Sequence, residues 1–408
     1  MHFKRKFITA VATGSLLLNA LTPFAFATTS IEISGNGSSS DNSTDLKTEQ
    51  TTTVVQNNDA DIKNKVESKA QTGENQANDN TGGSVTIETG KARSIVNISN
   101  SANLNKADIN NCGTCNGAVD VLISGNGSDS ENEVELSNEN EVSVYQDNRA
   151  KFDNDVESEA KTGENEANRN TGGDITIKTG EALAGVIISN AANANLARIG
   201  GNNDSTSKTV DARIVGNGSG SENEIELELE RSATLVQDNY ADIKNKVEAE
   251  AETGENEAND NTGGNVFVKT ADASAIVSVD NMANFNAASI DCCVLDLKAK
   301  ISGNGSDSEN EIEAELENEL EIFQGGKEGN KAKFDSNAEA EAETGENEAN
   351  RNTDPASDPK ITTGNADSET SITNSANANI FGPSIDLPGR LNFDFSFDLN
   401  GLLTHLFS

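Results

Sequence analysis

The chain has 408 residues, with 68 acidic and 30 basic side chains and a formal net charge of −38 at pH 7. Such an acidic excess argues against a surface that binds nucleic-acid phosphates. The chain contains only two histidines, which is too few for chemistry built on a histidine cluster. Beyond the N-terminal region, no run of about 18 apolar residues predicts a transmembrane helix. We therefore expect neither a nucleic-acid partner nor a transmembrane span.

The N-terminal segment 1–27 has the three parts of a secretory signal peptide. Residues 4–6 are basic, an apolar stretch that contains Leu16 follows, and Ala25-Phe26-Ala27 forms a cleavage site of the small-x-small type. The sequence therefore predicts that residues 1–27 are removed. It also predicts that the mature protein is secreted and is either extracellular or held at the cell surface.

Four copies of one unit of about 90 residues fill most of the remaining chain. Residues 33–38 (ISGNGS) recur at positions 123, 214 and 301, with Val215 replacing the serine in the third copy. Residues 72–75 (TGEN) recur at positions 162, 253 and 344. Repeats of this kind are typical of solenoids, in which each unit stacks on the next. We divide the chain into a signal peptide, four repeats and a C-terminal segment: 1–27, 28–120, 121–211, 212–298, 299–380 and 381–408.

Each repeat also contains a shorter, nearly even spacing. In the second repeat it is marked by Asn132, Asn148 and Asn165, and each of these begins a stretch in which every second residue is small or apolar. Such alternation predicts a strand with one inner face and one acidic outer face. A helix competes only over 311–322, although that segment also keeps a period of two. These features predict an all-β fold, a parallel β-helix-like β-solenoid in which each repeat forms about five short coils.

Amide side chains recur at matching places in the repeats. In stacked coils, each side-chain amide can donate to the next and so satisfy buried polar groups. The alternative is that these asparagines are turn residues that tolerate a left-handed backbone. The predicted structural ladder consists of Asn58, Asn75, Asn148, Asn165, Asn239, Asn256, Asn330 and Asn347.

Two strings, TGENEAN and ISGNGSDSENE, carry a resemblance to known sequences. They are similar to strings in uncharacterised secreted β-solenoid repeat proteins of bacteria, over roughly residues 30–380. The alternating pattern, interrupted at intervals by asparagine and glutamine, also weakly resembles curlin repeats. The resemblance implies the solenoid architecture and no particular chemistry. The curlin spacing of serine, glutamine and asparagine is not matched here, so amyloid assembly is not implied.

Four cysteines form two close pairs in the sequence, and export favours their oxidation. The predicted role is in structural disulfides, with a half zinc site or reactive or intermolecular thiols as alternatives. Four cysteines allow three pairings, and the sequence does not choose among them. The disulfide candidates are Cys112, Cys115, Cys292 and Cys293.

The C-terminal segment 381–408 departs from the repeat. In residues 391–399, Phe393, Phe395 and Phe397 alternate with polar residues and so fall on one side of a strand. A solenoid needs its end strands covered. We therefore expect this segment either to cap the last coil or to dock onto another subunit or a surface component.

The uniform repeats favour a non-enzymatic structural or interaction protein, a rigid acidic rod that serves in adhesion, a coat or a filament. The expected partner is an extracellular or cell-surface protein or glycan, and self-association is left open. A divalent-cation or ligand-binding module along the acidic face is the alternative. The runs 129–133 and 307–311 supply the oxygen ligands that calcium prefers, for weak binding, and no dedicated cofactor is expected. A polysaccharide-acting β-helix enzyme is less favoured because the arginines form no obvious cluster.

Overall fold

Parallel β-strands make up most of the described chain. The computed structural model describes residues 29–109, 119–200, 208–291, 295–325, 329–355 and 358–382. The all-β, parallel, solenoid-like architecture predicted from the alternating sequence is confirmed. In chain order the strands are β1 (Thr29–Ser34), β2 (Asp41–Gly73), β3 (Val85–Glu88), β4 (Ala92–Ile109), β5 (Val119–Ser124), β6 (Glu131–Gly163), β7 (Ile175–Lys178), β8 (Ala182–Gly200), β9 (Lys208–Val215), β10 (Glu222–Gly254), β11 (Thr262–Gly264), β12 (Val266–Lys269), β13 (Ala273–Asp291), β14 (Leu295–Ser302), β15 (Glu309–Gln324), β16 (Lys331–Gly345), β17 (Thr353–Pro355), β18 (Lys360–Thr362) and β19 (Ala366–Phe381).

The strands stack in register, each residue on its counterpart in the next repeat. β2 pairs with β6 from Asp41 opposite Glu131 to Gly73 opposite Gly163. β6 in turn pairs with β10, and β10 pairs with β15 and β16. We call the four stacked layers rungs 1 to 4, formed by the described residues of 29–109, 119–200, 208–291 and 295–382.

One repeat therefore makes one coil, which overturns the prediction of five short coils in each repeat. Asn132 and Asn148 lie on the same 33-residue strand β6 instead of in adjacent coils. At about 3.3 Å per residue, such a strand has a contour length of about 110 Å. The four rungs are only about 4.8 Å apart, so the expected rod of many small coils is replaced by a broad stack of few layers. The segment 311–322 lies within strand β15, so the competing helix does not form.

Each rung is a flattened coil with two opposed walls. One wall is the long strand, β2, β6, β10 or the β15–β16 pair. The other wall contains the return strand, which is β4, β8, β13 or β19, and the short strand, which is β1, β5, β9 or β14. Inward side chains of the two walls meet in a thin core rich in Ala, Val and Ile. Phe152 is the largest side chain that is fully buried there, and it packs in a cluster with Ala192.

Glycine closes each long strand because a side chain would collide with the next rung. Gly163 has a φ of +126°, and a Cβ atom there would lie 1.9 Å from the carbonyl oxygen of Gly254. Gly73 and Gly254 have the same close approach to the rung above. The glycine of the TGEN motif thus permits both the turn and the rung spacing.

Several predicted features lie outside the described residues. These are the signal peptide 1–27, all four cysteines (Cys112, Cys115, Cys292 and Cys293) and the phenylalanines of the C-terminal segment (Phe393, Phe395 and Phe397).

Candidate functional site

Buried amide columns are the most regular polar feature of the core. The first ladder pair joins a column on the long strands to a column on the return strands. Asn148 Nδ2 lies 3.1 Å from Asn239 Oδ1 in the next rung and 2.7 Å from Asn195 Oδ1 across the core. Its own Oδ1 accepts hydrogen bonds from Asn58 and Asn105 of rung 1. The first ladder pair consists of Asn58, Asn148, Asn239 and Asn330, facing Asn105, Asn195, Asn286 and Asn379.

A second ladder pair crosses the core slightly further along the long strands. Asn154 Nδ2 donates to Asn245 Oδ1 at 2.7 Å, and Asn190 Nδ2 donates to Asn281 Oδ1 at 2.7 Å. The two columns also exchange hydrogen bonds sideways, as between Asn154 and Asn190 at 3.3 Å. The second ladder pair consists of Asn64, Asn154, Asn245 and Ser336, facing Asn100, Asn190, Asn281 and Asn374.

A third column, formed by Asn75, Asn165, Asn256 and Asn347, follows the glycine turn. The backbone N–H of Asn165 and its side-chain Nδ2 both donate to Asn256 Oδ1, at 3.3 and 2.8 Å. The eight asparagines singled out in the sequence thus divide between this column and the long-strand side of the first ladder pair. Apart from Asn330, their ladder partners lie one full repeat away, and not at the short asparagine spacing that the five-coil arrangement required.

Asn330 departs from its column. It donates to Asn379 Oδ1 at 2.7 Å, but its own Oδ1 accepts no hydrogen bond from the described residues. Residues 325–329, which precede it, stand where the other rungs have a single residue, so the sequence has a four-residue insertion here. None of the eight predicted ladder asparagines has a positive φ, so left-handed turn geometry does not explain their recurrence.

A left-handed kink in each return strand turns the return-strand columns of both ladder pairs into the core. Asn193 has a φ of +61°, and its counterparts in the other rungs are also left-handed. Because strand side chains alternate, Asn190 and Asn195 would otherwise point in opposite directions. The left-handed Asn193 shifts the alternation by one residue, so both side chains face the core, and Asn193 Nδ2 donates to the carbonyl of Tyr240 at 2.7 Å. Sequence reasoning missed this column, although its recurrence in every repeat was visible: Asn103, Asn193, Asn284 and Asn377.

Charges alternate in sign up three outer columns. The first column consists, from rung 1 to rung 4, of Asp61, Lys151, Asp242 and Lys333. The second consists of Lys63, Asp153, Lys244 and Asp335. The third column consists of Asp79, Arg169, Asp260 and Arg351. Arg169 donates two hydrogen bonds to Asp79 of rung 1, at 2.7 and 2.8 Å, and Arg351 donates two to Asp260 of rung 3. Hydrogen bonds from these guanidinium groups hold the pKa values of both aspartates below their usual range.

Some glutamates stack on glutamates at the start of the long strands, with no basic residue in the same column to offset their charge. Glu133, Glu224 and Glu311 lie on one another in rungs 2 to 4, as do Glu139, Glu230 and Glu317. Burial, followed by repulsion from the neighbouring glutamates, raises the pKa values of Glu224 and Glu230. The acidic outer face is therefore under electrostatic strain where no lysine or arginine interrupts it.

Lys161 contacts several carboxylates of this face at once. Its Nζ lies 2.9 Å from Glu252, 3.0 Å from Glu250 and 3.4 Å from Glu159. Hydrogen bonding to Glu252 is the main cause of the raised pKa of its ammonium group. A single lysine thus relieves carboxylates of two rungs.

A metal ion or a small ligand would need a cluster of suitable side chains or a pocket among the described residues. The described residues contain no group of three or more His, Cys, Asp or Glu side chains arranged to hold a metal ion. A shallow depression of about 330 Å³ beside Gly345 is lined by Glu252, Glu255, Glu343 and Glu346, and no arginine or lysine lines it. The described part of the chain also contains no helix that could span a membrane.

Comparison of the chain with protein-family models, curated proteins and solved structures found no match.

Proposed function

We propose that the protein is an exported, non-enzymatic structural protein that serves as an acidic scaffold outside the cell or at the cell surface. Export rests on the signal-peptide pattern of residues 1–27. Its binding partner in this role is an extracellular protein or glycan. The acidic outer face keeps such scaffolds soluble and discourages sideways sheet pairing.

The uniformity of the rungs is the observation that carries this proposal. The buried asparagines of both ladder pairs are engaged with one another, and these pairs recur from rung to rung. A catalytic site needs acid, base and charged groups gathered at one place with their own geometry. The depression beside Gly345 has only glutamates as charged lining residues, and Lys161, which contacts one of them, Glu252, is shared with Glu250 outside the depression.

Localisation of the full chain and of a chain that ends at residue 390 tests the proposal. We expect immunolabelling of intact cells to find the full chain outside, with Thr28 as its first residue by mass spectrometry. The truncated chain should give the same circular-dichroism spectrum but be released into the medium. Full chain that stays in the cytoplasm with residues 1–27 attached contradicts the scaffold role. Truncated chain that stays on the surface contradicts only the docking role of the C-terminal segment.

Cation binding along the acidic face is the second candidate. The stacked glutamates, with their raised pKa values at Glu224 and Glu230, favour it, because a divalent cation between rungs would relieve their repulsion. Calcium titration followed by thermal unfolding tests this role, with magnesium as the matched control. Strong stabilisation by micromolar calcium alone supports a dedicated site. Equal, weak effects of both ions at millimolar concentration contradict it.

A further inference from the structure

The two ends of the stack present long strand edges. Within the described residues, β2 and β4 of rung 1 pair only with rung 2, and β15, β16 and β19 of rung 4 pair only with rung 3. The return strand β19 is exposed along its whole length. Unpaired N–H and C=O groups on such edges are a template for another parallel strand.

The amide columns have a direction, so the two ends differ. Asn42 donates to Asn132, Asn132 to Asn223 and Asn223 to Asn310, at 2.9, 2.8 and 2.8 Å. Asn223 Nδ2 donates both to Ser221 and to the next rung, whereas Asn310 Nδ2, within the described residues, donates only to Ser308. Rung 4 therefore ends in a spare donor, and rung 1 ends in an acceptor, the Oδ1 atom of Asn42.

In a column of glutamines the hydrogen bonds point in the opposite direction, and they lead to the same conclusion about the two ends. Gln324 donates to Gln237, Gln237 to Gln146 and Gln146 to Gln56, at 2.9, 2.8 and 2.8 Å. Here rung 4 ends in the acceptor. For both columns, donor meets acceptor only when rung 4 of one copy faces rung 1 of another.

The alternating charge columns favour the same arrangement. Each begins in rung 1 and ends in rung 4 with the opposite sign, because the number of rungs is even. The columns that begin with Asp61 and Lys63 end with Lys333 and Asp335. Arg351 is 73% exposed and Asp79 is 64% exposed, so each has an open side. A second copy placed on rung 4 in the same register would continue every one of these alternations.

Net charge opposes one of the other ways of joining two ends, the contact of rung 4 with rung 4. Residues 29–109 contain 11 acidic and 7 basic side chains, whereas residues 295–382 contain 20 and 7. Contact between two rung 4 surfaces would bring together the two most acidic ends, and like charges across an interface are strongly unfavourable. Contact between rung 4 and rung 1 pairs the most acidic end with the least acidic one.

We propose that copies of this chain stack head to tail, rung 4 of one on rung 1 of the next, and extend the parallel sheets into a filament. This deepens the scaffold role proposed above by naming a second copy of the chain as a partner. Within the described residues, β15 and β16 pair with no strand other than β10, so their outer edges can take a further strand. Pro355 removes one backbone donor, but it lies in the short strand β17 and not in the long or return strands.

Charge exchange at the two ends tests this contact. Variant A carries Lys333→Asp and Asp335→Lys, and variant B carries Asp61→Lys and Lys63→Asp. In each variant alone, rung 4 of one copy meets like charges on rung 1 of the next. In a mixture, A and B can alternate so that every junction has opposite charges. The control exchanges Lys151 and Asp153 (Lys151→Asp, Asp153→Lys), which creates mismatches inside the stack and leaves the junction unchanged.

Assembly of the purified mature chain is measured by light scattering and negative-stain microscopy at low salt. We expect filaments from the wild type and the control. We expect the concentration needed for assembly to rise about tenfold for A or B alone and to return close to the wild-type value in the mixture. Wild-type protein that stays monomeric overturns the proposal. So do variants that assemble like the wild type, and a mixture that fails to recover. None of these results bears on whether the protein is exported and retained at the surface.

Discussion

Asn148 lies directly beside Asn239, its counterpart in the next repeat, and its Nδ2 atom donates to Asn239 Oδ1 at 3.1 Å. This contact shows how a chain with 34% hydrophobic residues builds an ordered interior. Identical amides stack on one another, so ladder donors such as those of Asn58, Asn154 and Asn165 find an acceptor one rung away. Hydrogen-bonded buried networks of this kind rigidify a core and specify its register.

Removal of one amide from the middle of the first ladder pair should be costly. In Asn148→Ala, hydrogen bonds to both rungs and across the core are lost, and partner amides stay buried without replacements. We expect the free energy of unfolding to fall by about 2–4 kcal/mol, measured by urea denaturation. Asn57→Ala, an exposed position of β2, is the matched control and should change stability by less than about 0.5 kcal/mol. Equal effects of the two substitutions would refute the ladder's role.

A methyl group at the closing turn of a long strand should also destabilise the stack. In Gly163→Ala, the new Cβ would meet the carbonyl oxygen of Gly254 at 1.9 Å while the backbone keeps a positive φ. We expect a loss of at least about 2 kcal/mol in unfolding free energy. Gly37→Ala is the control, because no atom lies within 4 Å of its Cβ position and its φ is not positive. Equal unfolding temperatures of the two variants would show that the close approach of the rungs does not require glycine.

Lys161 should stabilise the acidic face in a salt-dependent way. Its side chain is 26% exposed and contacts Glu250 and Glu252 of the next rung, so Lys161→Met leaves these carboxylates to repel one another. We expect a loss of about 1 kcal/mol at low salt that shrinks in about 1 M NaCl, where the Debye length is about 3 Å. Lys63→Met, whose side chain is 64% exposed, is the control and should change little. A loss that is the same at both salt concentrations would point to packing instead of charge.

Stability should pass through a maximum as the pH falls. The pKa values of Glu224 and Glu230 are raised in the folded protein, so the folded state binds protons more readily than the unfolded chain, and protonation stabilises it. The melting temperature should therefore rise from pH 7 to about pH 5. The pKa values of Asp79 and Asp260 are lowered, so their stabilising contribution is present above about pH 4 and is lost below it.

The double variant Glu224→Gln, Glu230→Gln isolates the first part of this profile. It should melt higher than the wild type at pH 7 and show a smaller rise toward pH 5. A wild-type melting temperature that falls steadily from pH 7 downward would show that the stacked glutamates do not carry the strain assigned to them.

Much of the fold follows from two sequence signals, and a third misleads. Alternation such as that around Ile225 predicts strands, and the TGEN recurrence predicts stacking. The nearly even spacing of Asn132, Asn148 and Asn165 suggested small coils. In the structure, this spacing measures positions along one continuous strand and the turn that follows it. The long recurrence, from one TGEN to the next, was the stronger signal, because in-register stacking places each residue on its counterpart.

The partners across the core could not be predicted from the long-strand asparagines alone. Asn148 meets Asn195 only because the left-handed Asn193 shifts the alternation of the return strand by one residue. The sequence contains that asparagine in all four rungs, but a single left-handed residue within a strand has no alternating pattern that marks it in the sequence. The change of charge sign from one repeat to the next is also visible in the sequence. Its role in pairing opposite charges follows only from the register, which places Asp61 beside Lys151.

The separation between Glu139 and Asp155 tests the central claim, one coil for each repeat, most directly. Both lie on β6, as far apart in sequence as Asn132 and Asn148 are. Spin labels can be attached there through encoded unnatural amino acids that leave the native cysteines untouched. Because an extended strand rises about 3.3 Å per residue, double electron–electron resonance should report about 50 Å. A distance of about 10 Å or less would place the two residues in adjacent small coils and contradict the account.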